Sequence, residues 1–216
     1  MKKNLTELVF VVDRSGSMGG LESDTIGGIN ATLAKNRKLD GECMVSIVLF
    51  DNSADVLVDR VDIREVSDLT EADYQVRGCT ALLDTLGDSI AHIDRVQRYM
   101  PSEYKAEKVI FVITTDGQEN ASKRHDYASV KKAVEQHVEQ GWEFVFLGAN
   151  MDAISEAGRI GIRPDRAATY LADSEGSKVM FATVGTFTEA LRCANACVDL
   201  GAEWKEDIEH DLEARG

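Results

Sequence analysis

Residues 8–18 read LVFVVDRSGSM, and this stretch decides the fold. Its apolar run lacks alternation, which suits a strand buried on both faces of a parallel sheet, although periodicity alone does not distinguish it from a short buried helix. The run ends in Asp13, and hydroxyls follow at Ser15 and Ser17. Ligands of open α/β sheets bind outside the carboxyl ends of the strands. Because carboxylate and hydroxyl oxygens suit hard divalent cations, we interpret these three residues as one side of a metal site.

A second hydrophobic run, residues 108–113, repeats this pattern later in the chain. Hydroxyls and a carboxylate follow it at Thr114, Thr115 and Asp116. Two central strands that end at the same edge bring Asp13 and Asp116 together, and paired carboxylates need a cation or a shared proton. We therefore predict that Asp116 is a metal ligand; the alternative is an ordinary turn aspartate in Asp-Gly.

Thr80 follows a glycine-bearing turn and precedes a predicted helix. The apolar face of that helix comprises Leu83, Leu86, Ile90 and Ile93. The Thr80 hydroxyl either caps the helix N-terminus, a frequent role for threonine, or points into the crevice as a ligand. Spacing alone favours the cap.

The rest of the chain alternates between strand and helix patterns. Strands are predicted at 44–50, 54–58, 144–147 and 167–171, and the first two form an antiparallel hairpin at one edge. Residues 61–70 are predicted as an irregular connection with one short strand. Alternation predicts an α/β fold with a doubly wound, mostly parallel central sheet and helices on both faces. We assign residues 1–200 to one domain and 201–216 to an acidic C-terminal tail, either a solvated helix or a frayed end, with an acidic docking arm as the alternative.

Composition excludes several classes of protein. The net charge of −14 argues against sequence-independent nucleic-acid binding. No segment approaches the roughly 20 apolar residues of a membrane span, and the N-terminus lacks a signal-peptide pattern, so we predict a cytoplasmic protein. The four cysteines are too scattered for a disulfide framework. We interpret them as buried, inert thiols, although Cys193 and Cys197 lie one helical turn apart and offer a pair to a metal or redox partner.

Together, Asp13-x-Ser15-x-Ser17, Thr80 and Asp116-Gly117 resemble the von Willebrand factor A domain and its metal-ion-dependent adhesion site. The likeness extends from about residue 5 to 198, and it implies a mostly parallel sheet with one antiparallel edge strand. It implies that Ser15 and Ser17 bind the metal directly, that Asp13 and Asp116 act largely through water or switch to direct contact, and that Thr80 joins when ligand is bound. Thr80 therefore becomes a predicted metal contact. Mg²⁺ suits such a site best, with Mn²⁺ or Ca²⁺ as alternatives.

The resemblance also implies a function. It favours a non-catalytic, metal-dependent protein-interaction module in which a carboxylate of the partner protein is the remaining ligand. Intracellular family members often serve as adaptors in multi-protein assemblies, including those with AAA-type ATPases, and a surface adhesin is the alternative. In this family ligand engagement is often coupled to movement of the last helix, here the one that carries residues 180–197. Arg14, Met18 and Asn150 are expected to border the crevice and are candidates for contact with a partner, and Asp84 either supports a ligand or faces solvent.

A metal-dependent hydrolase or phosphotransferase is the main alternative, since Asp, Ser and Mg²⁺ also build such sites. The sequence lacks a Gly-x-Ser-x-Gly elbow and a phosphate-binding Gly-x-x-x-x-Gly-Lys loop, and no second aspartate lies two residues after Asp13. Of the four histidines, only His125 is expected to come near the crevice, and a residue on the surface of a helix is the favoured role for it. A dinucleotide-binding enzyme is disfavoured because Gly-x-Gly-x-x-Gly is absent after the first strand.

Overall fold

A computed structural model describes residues 1–194 and 200–216. The strands of this part of the chain form one sheet in the order β3-β2-β1-β4-β5-β6. Their bounds are β1 Lys2–Asp13, β2 Glu42–Phe50, β3 Ala54–Asp62, β4 Ala106–Thr115, β5 Glu143–Ala149 and β6 Ala167–Tyr170. All neighbouring strands pair in parallel except β2 and β3, which are antiparallel. The predicted sheet and its antiparallel edge are confirmed.

The central strand β1 is buried on both faces, which explains its continuous apolar run. Val9 and Val11 pack into one hydrophobic cluster, whereas Phe10 and Val12 pack into the other. All four side chains are at most 1% exposed. Val12 pairs with Thr114 of β4, so the two strands end level with each other. Their polar extensions therefore emerge side by side.

Helices cover both faces of the sheet, as predicted. Their bounds are α1 Glu22–Asn36, α2 Leu82–Tyr99, α3 Tyr127–Val138, α4 Ala153–Arg159, α5 Ser174–Cys193 and α6 Glu206–Arg215. Apolar residues of α1, α5 and α6 belong to one core cluster, and those of α2, α3 and α4 belong to the other. The amphipathic patterns read from the sequence thus face the sheet. No helix in the described part of the chain is long and apolar enough to cross a membrane.

The edge hairpin and the connection after it differ from the sequence prediction. Strand β3 continues to Asp62 rather than stopping at Val58. The described residues 63–81 contain turns and no strand, so the short strand predicted within 61–70 is the end of β3 itself.

The acidic C-terminal segment forms helix α6, and one side of it packs against the domain. Ile208 is 1% exposed and joins the core cluster of α1 and α5. Before the helix, the Trp204 ring stacks on Phe187 with centroids 4.4 Å apart. Lys205 Nζ donates hydrogen bonds to the carbonyl oxygens of Pro164 and Ala167. The expectation of a frayed end is therefore wrong for this segment.

The cysteines are less uniformly buried than expected. Cys43 is buried, but Cys79 and Cys193 are exposed, so the prediction of inert buried thiols is wrong for these two. Helix α5 ends at Cys193. The other thiol of the predicted pair, Cys197, lies outside the described residues. The same is true of residues 195–197, which the sequence assigned to the last helix.

Candidate metal centre

Asp13 lies at the end of β1 and joins the loop after it to the neighbouring strand. The residue is fully buried. Its Oδ1 accepts a hydrogen bond from the Ser15 backbone N–H at 2.6 Å, and its Oδ2 accepts one from Thr115 Oγ1 at 2.5 Å. Sequence reasoning missed the role of Thr115, although this residue directly precedes Asp116. The carboxylate is thereby fixed at the point where β1 and β4 both end.

Asp116 is connected to the opening loop through the serine hydroxyls. Ser17 Oγ donates to Asp116 Oδ1 at 2.5 Å, and it lies 3.1 Å from Ser15 Oγ. Asp116 is 6% exposed, and its Oδ2 is buried without a hydrogen-bond partner. A buried carboxylate oxygen without a partner is costly. This oxygen is therefore a strong candidate for an additional ligand.

Thr80 is buried beside these residues but does not cap α2. The N-cap of α2 is Ala81, which makes no side-chain capping bond. The Thr80 backbone N–H donates to Asn120 Oδ1 at 3.0 Å, which holds the residue against the loop after Asp116. The N-cap interpretation of Thr80 is wrong, and its hydroxyl is directed elsewhere.

Gly117 shows where the three hydroxyls converge. A Cβ placed on Gly117 would lie 2.5 Å from Thr80 Oγ1, 3.3 Å from Ser17 Oγ and 3.5 Å from Ser15 Oγ. The three oxygens therefore surround one small space, which stays open because residue 117 has no side chain. The structure brings together all five residues predicted from the sequence.

The two carboxyl groups have raised pKa values. Burial raises the pKa of Asp13 to about 6; hydrogen bonds from Thr115 and Ser15 lower it, and the nearby charge of Asp116 raises it further. Burial also raises the pKa of Asp116, against the opposing hydrogen bond from Ser17. The hydrogen bonds to the two carboxylates therefore do not offset the cost of burying their negative charges. A bound cation would stabilise the ionised forms.

The donor set fits a hard divalent cation. It offers two carboxylates and three hydroxyls, all oxygen donors of the kind that Mg²⁺ prefers. In the described residues there is no group of three or more His, Cys, Asp or Glu side chains that could hold a metal. A site here would therefore depend on the hydroxyls of Ser15, Ser17 and Thr80.

Comparison with known proteins identifies the fold family. The model of the von Willebrand factor type A domain matches residues 7–183, most of the chain. The chain belongs to this family. Domains of the type are generally protein-interaction modules. Comparison with curated proteins gives no match.

Solved structures share the fold of the von Willebrand factor type A (vWA) domain at low sequence identity. Proximal thread matrix protein 1 from the mussel byssus superposes with a TM-score of 0.56 at 16% identity, over 85% of this chain and 46% of that one. A von Willebrand factor type A protein from Catenulispora acidiphila gives 0.55 at 18%, over 83% and 42%. The D319A mutant of the PilB minor pilin from Streptococcus sanguinis gives 0.56 at 12%, over 85% and 61%. The chain thus spans about half the length of these proteins, and the likeness shows the fold alone.

Backbone hydrogen bonds hold the site loops of this vWA domain together. The Gly16 N–H donates to the Gly78 carbonyl at 3.1 Å, and the Arg77 N–H donates to the Arg14 carbonyl at 2.8 Å. Gly78 has a positive φ of 72°, which favours glycine here. The Thr80 loop is therefore fixed against the loop that carries the two serines.

Arg14 is part of this scaffold rather than an exposed contact for a partner. It is 5% exposed, and its Nε lies 3.0 Å from Asp51 Oδ2. Its guanidinium also pairs with Asp55, and Arg77 contacts the same two aspartates. Met18 is 2% exposed and belongs to the core. The expectation that Arg14 and Met18 face a partner is wrong, whereas Asn150 is exposed at the end of β5 and stays a candidate.

Asp84 anchors the loop that follows Asp116. It is 8% exposed, and its carboxylate accepts backbone hydrogen bonds from Lys123, Arg124 and His125 at 2.8–2.9 Å. Burial alone would raise the pKa of Asp84, but these three donors outweigh burial and lower it. The suggestion that Asp84 faces solvent is wrong. His125 itself turns toward α2, with Nε2 3.2 Å from Asp88 Oδ1.

Proposed function

We propose that this vWA domain is a metal-dependent protein-interaction module. Asp13, Ser15, Ser17, Thr80 and Asp116 would hold one divalent cation, Mg²⁺ before Mn²⁺ or Ca²⁺, and a carboxylate of the partner protein would complete the coordination. The observation that carries the proposal is Asp116 Oδ2, a buried carboxylate oxygen without a hydrogen-bond partner beside three converging hydroxyls. Unpartnered buried oxygens are rare in proteins, and for a carboxylate oxygen beside three hydroxyls a bound cation is a direct explanation.

The charges of the site support an acidic partner. Two carboxylates balance a divalent cation, and the hydroxyl ligands add no charge. When bound, the cation supplies a Lewis-acidic position for one further oxygen. The domain has a net charge of −14, which by itself repels an acidic partner. Attraction of a carboxylate would therefore depend on the occupied site, and this makes the interaction metal-dependent.

The proposed role is binding rather than catalysis. Domains of this family are generally interaction modules. The Ser15 and Ser17 hydroxyls interact with each other, and Ser17 donates to Asp116, so both belong to the same network as the proposed metal ligands. An intracellular adaptor role, a cytoplasmic location and an assembly with an AAA-type ATPase stay predictions from the family resemblance.

Calorimetric titration of chelator-stripped protein with Mg²⁺, Mn²⁺ and Ca²⁺ tests the metal site. We expect one saturable site that Asp13→Ala and Asp116→Ala abolish in folded protein. Thr80→Val should weaken it about tenfold, since one neutral ligand is lost. The matched control is Thr114→Val, because Thr114 is equally buried but its Oγ1 has no hydrogen-bond partner. Binding that survives both aspartate substitutions would refute the site.

The partner carboxylate is tested with a small probe. Glutarate should displace water from the Mn²⁺-loaded protein and lower the water-proton relaxation rate, whereas its diamide should not. Equal effects of the two compounds would argue against a carboxylate as the remaining ligand.

A further inference from the structure

A second cavity lies between helix α2 and the hairpin of β2 and β3. We call it the hairpin cavity. Its volume is about 310 Å³, at the lower end for ligand pockets, and it includes none of the five metal-centre residues. Val9, Val48 and Ile93 form buried apolar walls, and Val56 lies at the rim with 60% of its surface exposed. The cavity thus offers an apolar interior that continues onto an exposed apolar edge.

Two carboxylates lie among the lining residues. The side chains of Asp59 and Asp88 are 51% and 43% exposed, and both line the cavity. The ion pair described for Asp59 is with His92, at 2.9 Å, and it is ionic only when the imidazole is protonated. Asp88 pairs with Arg124 at 2.7 Å, and its Oδ1 lies 3.2 Å from His125 Nε2. Arg124 is 60% exposed and also contacts Asp84. Among the described ion pairs, Arg124 is thus the one permanently charged partner of the two carboxylates, and the opening of the cavity carries more fixed negative than fixed positive charge.

The strand that forms one wall is irregular at this place. Val45 and Ile47 of β2 pair with Val61 and Val58 of β3, so Asp59 and Arg60 both lie opposite the single residue Ser46. Such a bulge turns side chains away from the regular alternation, and bulges are frequent beside binding sites. Arg60 has a positive φ of 52°, a conformation that costs a non-glycine residue stability. The bulge places Asp59 at the cavity.

A buried ion pair stabilises this strained geometry. Arg60 Nε donates to both carboxylate oxygens of Glu7, at 2.9 and 3.1 Å, and Glu7 is fully buried. The Arg60 N–H also bonds to Ser46 Oγ at 3.1 Å. The positive charge of Arg60 is thus directed at Glu7, which leaves Asp59 with its carboxylate toward the cavity and His92.

We propose that the hairpin cavity is a second binding site, for a partner segment that presents a large aliphatic side chain next to a lysine or arginine. The aliphatic group would fill the space between Val9, Val48 and Ile93. The neighbouring cation would pair with Asp59 and Asp88, and the overall charge of −14 attracts such a segment. The chemistry is opposite to that of the metal centre, which would take a carboxylate.

Chemical-shift titration of the ¹⁵N-labelled full chain, with a chelator present, tests this site. The probes are three blocked tripeptides, Lys-Leu-Lys, Glu-Leu-Glu and Lys-Gly-Lys. We expect saturable shifts of the amides of Ser46, Val56, Ser89 and His92 with Lys-Leu-Lys, and weaker binding of the other two. Asp59→Asn with Asp88→Asn should reduce the affinity for Lys-Leu-Lys, by about threefold for each charge removed.

Two variants serve as controls. Asp62→Asn removes a charge from the same strand at a residue outside the cavity and should leave the affinity unchanged. Asp116→Ala should also leave it unchanged, so failure of the metal site and failure of this site are separable. Equal affinity for Glu-Leu-Glu or for Lys-Gly-Lys, or shifts confined to other regions, would overturn the proposal.

Discussion

Ser17 donates a hydrogen bond to Asp116 that connects the loops after β1 and β4 across 99 positions of sequence. This bond uses Oδ1 of the carboxylate and leaves Oδ2 buried without a partner. One oxygen therefore aligns the two loops, and the other stays available to a ligand. The two functions of Asp116 can be separated by substitutions nearby.

Gly117→Ala should abolish metal binding without removing any ligand. The new methyl group would lie 2.5 Å from Thr80 Oγ1 and within 3.5 Å of both serine hydroxyls, so it fills the space that the cation needs. Residue 117 does not have a positive φ, so alanine is not excluded by the backbone. Calorimetry with Mg²⁺ should show no binding by a protein that still unfolds cooperatively.

Gly27→Ala is the matched control for that experiment. A Cβ on Gly27 meets nothing within 4 Å, and the residue lies within helix α1. We expect unchanged metal affinity and a gain of about 1 kcal/mol in the free energy of unfolding, because alanine is the better helix former. Metal binding by Gly117→Ala that equals the control would mean that the cation lies elsewhere.

Metal affinity should fall with decreasing pH. The folded, metal-free protein has an Asp13 pKa of about 6, raised from 3.8. The proton on this group therefore stabilises the fold below the unfolded pKa, and this contribution is lost as pH rises through about 6. A cation competes with that proton, so affinity should drop by up to about tenfold for each pH unit below 6.

Calorimetry between about pH 5 and pH 8 measures this dependence, since metal binding releases the protons of its ligands. Titrations in buffers of different ionisation enthalpy should show net proton release near pH 6 and little at pH 8. An affinity that stays constant from pH 8 to pH 5 would contradict the assignment of Asp13 to the site.

The strands and four of the ligand candidates, Asp13, Ser15, Ser17 and Asp116, were predictable because they depend on local pattern. Thr80 became a predicted ligand only through the family resemblance, since its spacing favoured an N-cap. An unbroken apolar run such as 8–12 is buried on both faces, and polar residues after parallel strands meet at one edge. The interaction of Arg14 with Asp51 was not predictable, since these residues are 37 positions apart and adjoin only because β1 lies beside β2.

The packing of the C-terminal segment against the domain was not predictable from the sequence either, for a different reason. Helix α6 has Ile208 as its one buried residue, so its sequence shows charge rather than an apolar stripe. The contacts that hold the segment come from Trp204 and Lys205, which bond to carbonyl oxygens of Asp165, Pro164 and Ala167. Because every residue has a backbone carbonyl group, the sequence does not show which carbonyl oxygens accept these bonds.

Asp84→Ala should destabilise the domain by about 2 kcal/mol, since three backbone donors lose a charged acceptor. The loop that follows Asp116 should loosen, and metal affinity should fall with it. Thermal unfolding and calorimetry measure the two effects. Asp88→Ala, one turn later on α2 and 43% exposed at its side chain, should cost less than about 1 kcal/mol. Equal losses in the two variants would contradict an anchoring role for Asp84.

Glu7 and Arg60 should show strong coupling in a double-mutant cycle. Arg60→Gly relieves the positive φ but leaves the fully buried Glu7 carboxylate without its cation. We expect a net loss of about 3 kcal/mol, since removal of one partner from a buried ion pair is costly. Burial raises the pKa of Glu7 and Arg60 lowers it, so the loss should shrink at acidic pH, where Glu7 is protonated.

The double variant Glu7→Met with Arg60→Gly removes the buried charge and the strained backbone together. Its free energy of unfolding should lie within about 1 kcal/mol of the original protein or exceed it, because apolar replacements of buried ion pairs are often neutral or stabilising. Urea denaturation of the four proteins measures the coupling. Because Arg60→Gly also relieves the positive φ, the test is the coupling energy of the cycle; a value near zero would mean that the ion pair contributes nothing. The left-handed backbone at Arg60 would then need another cause.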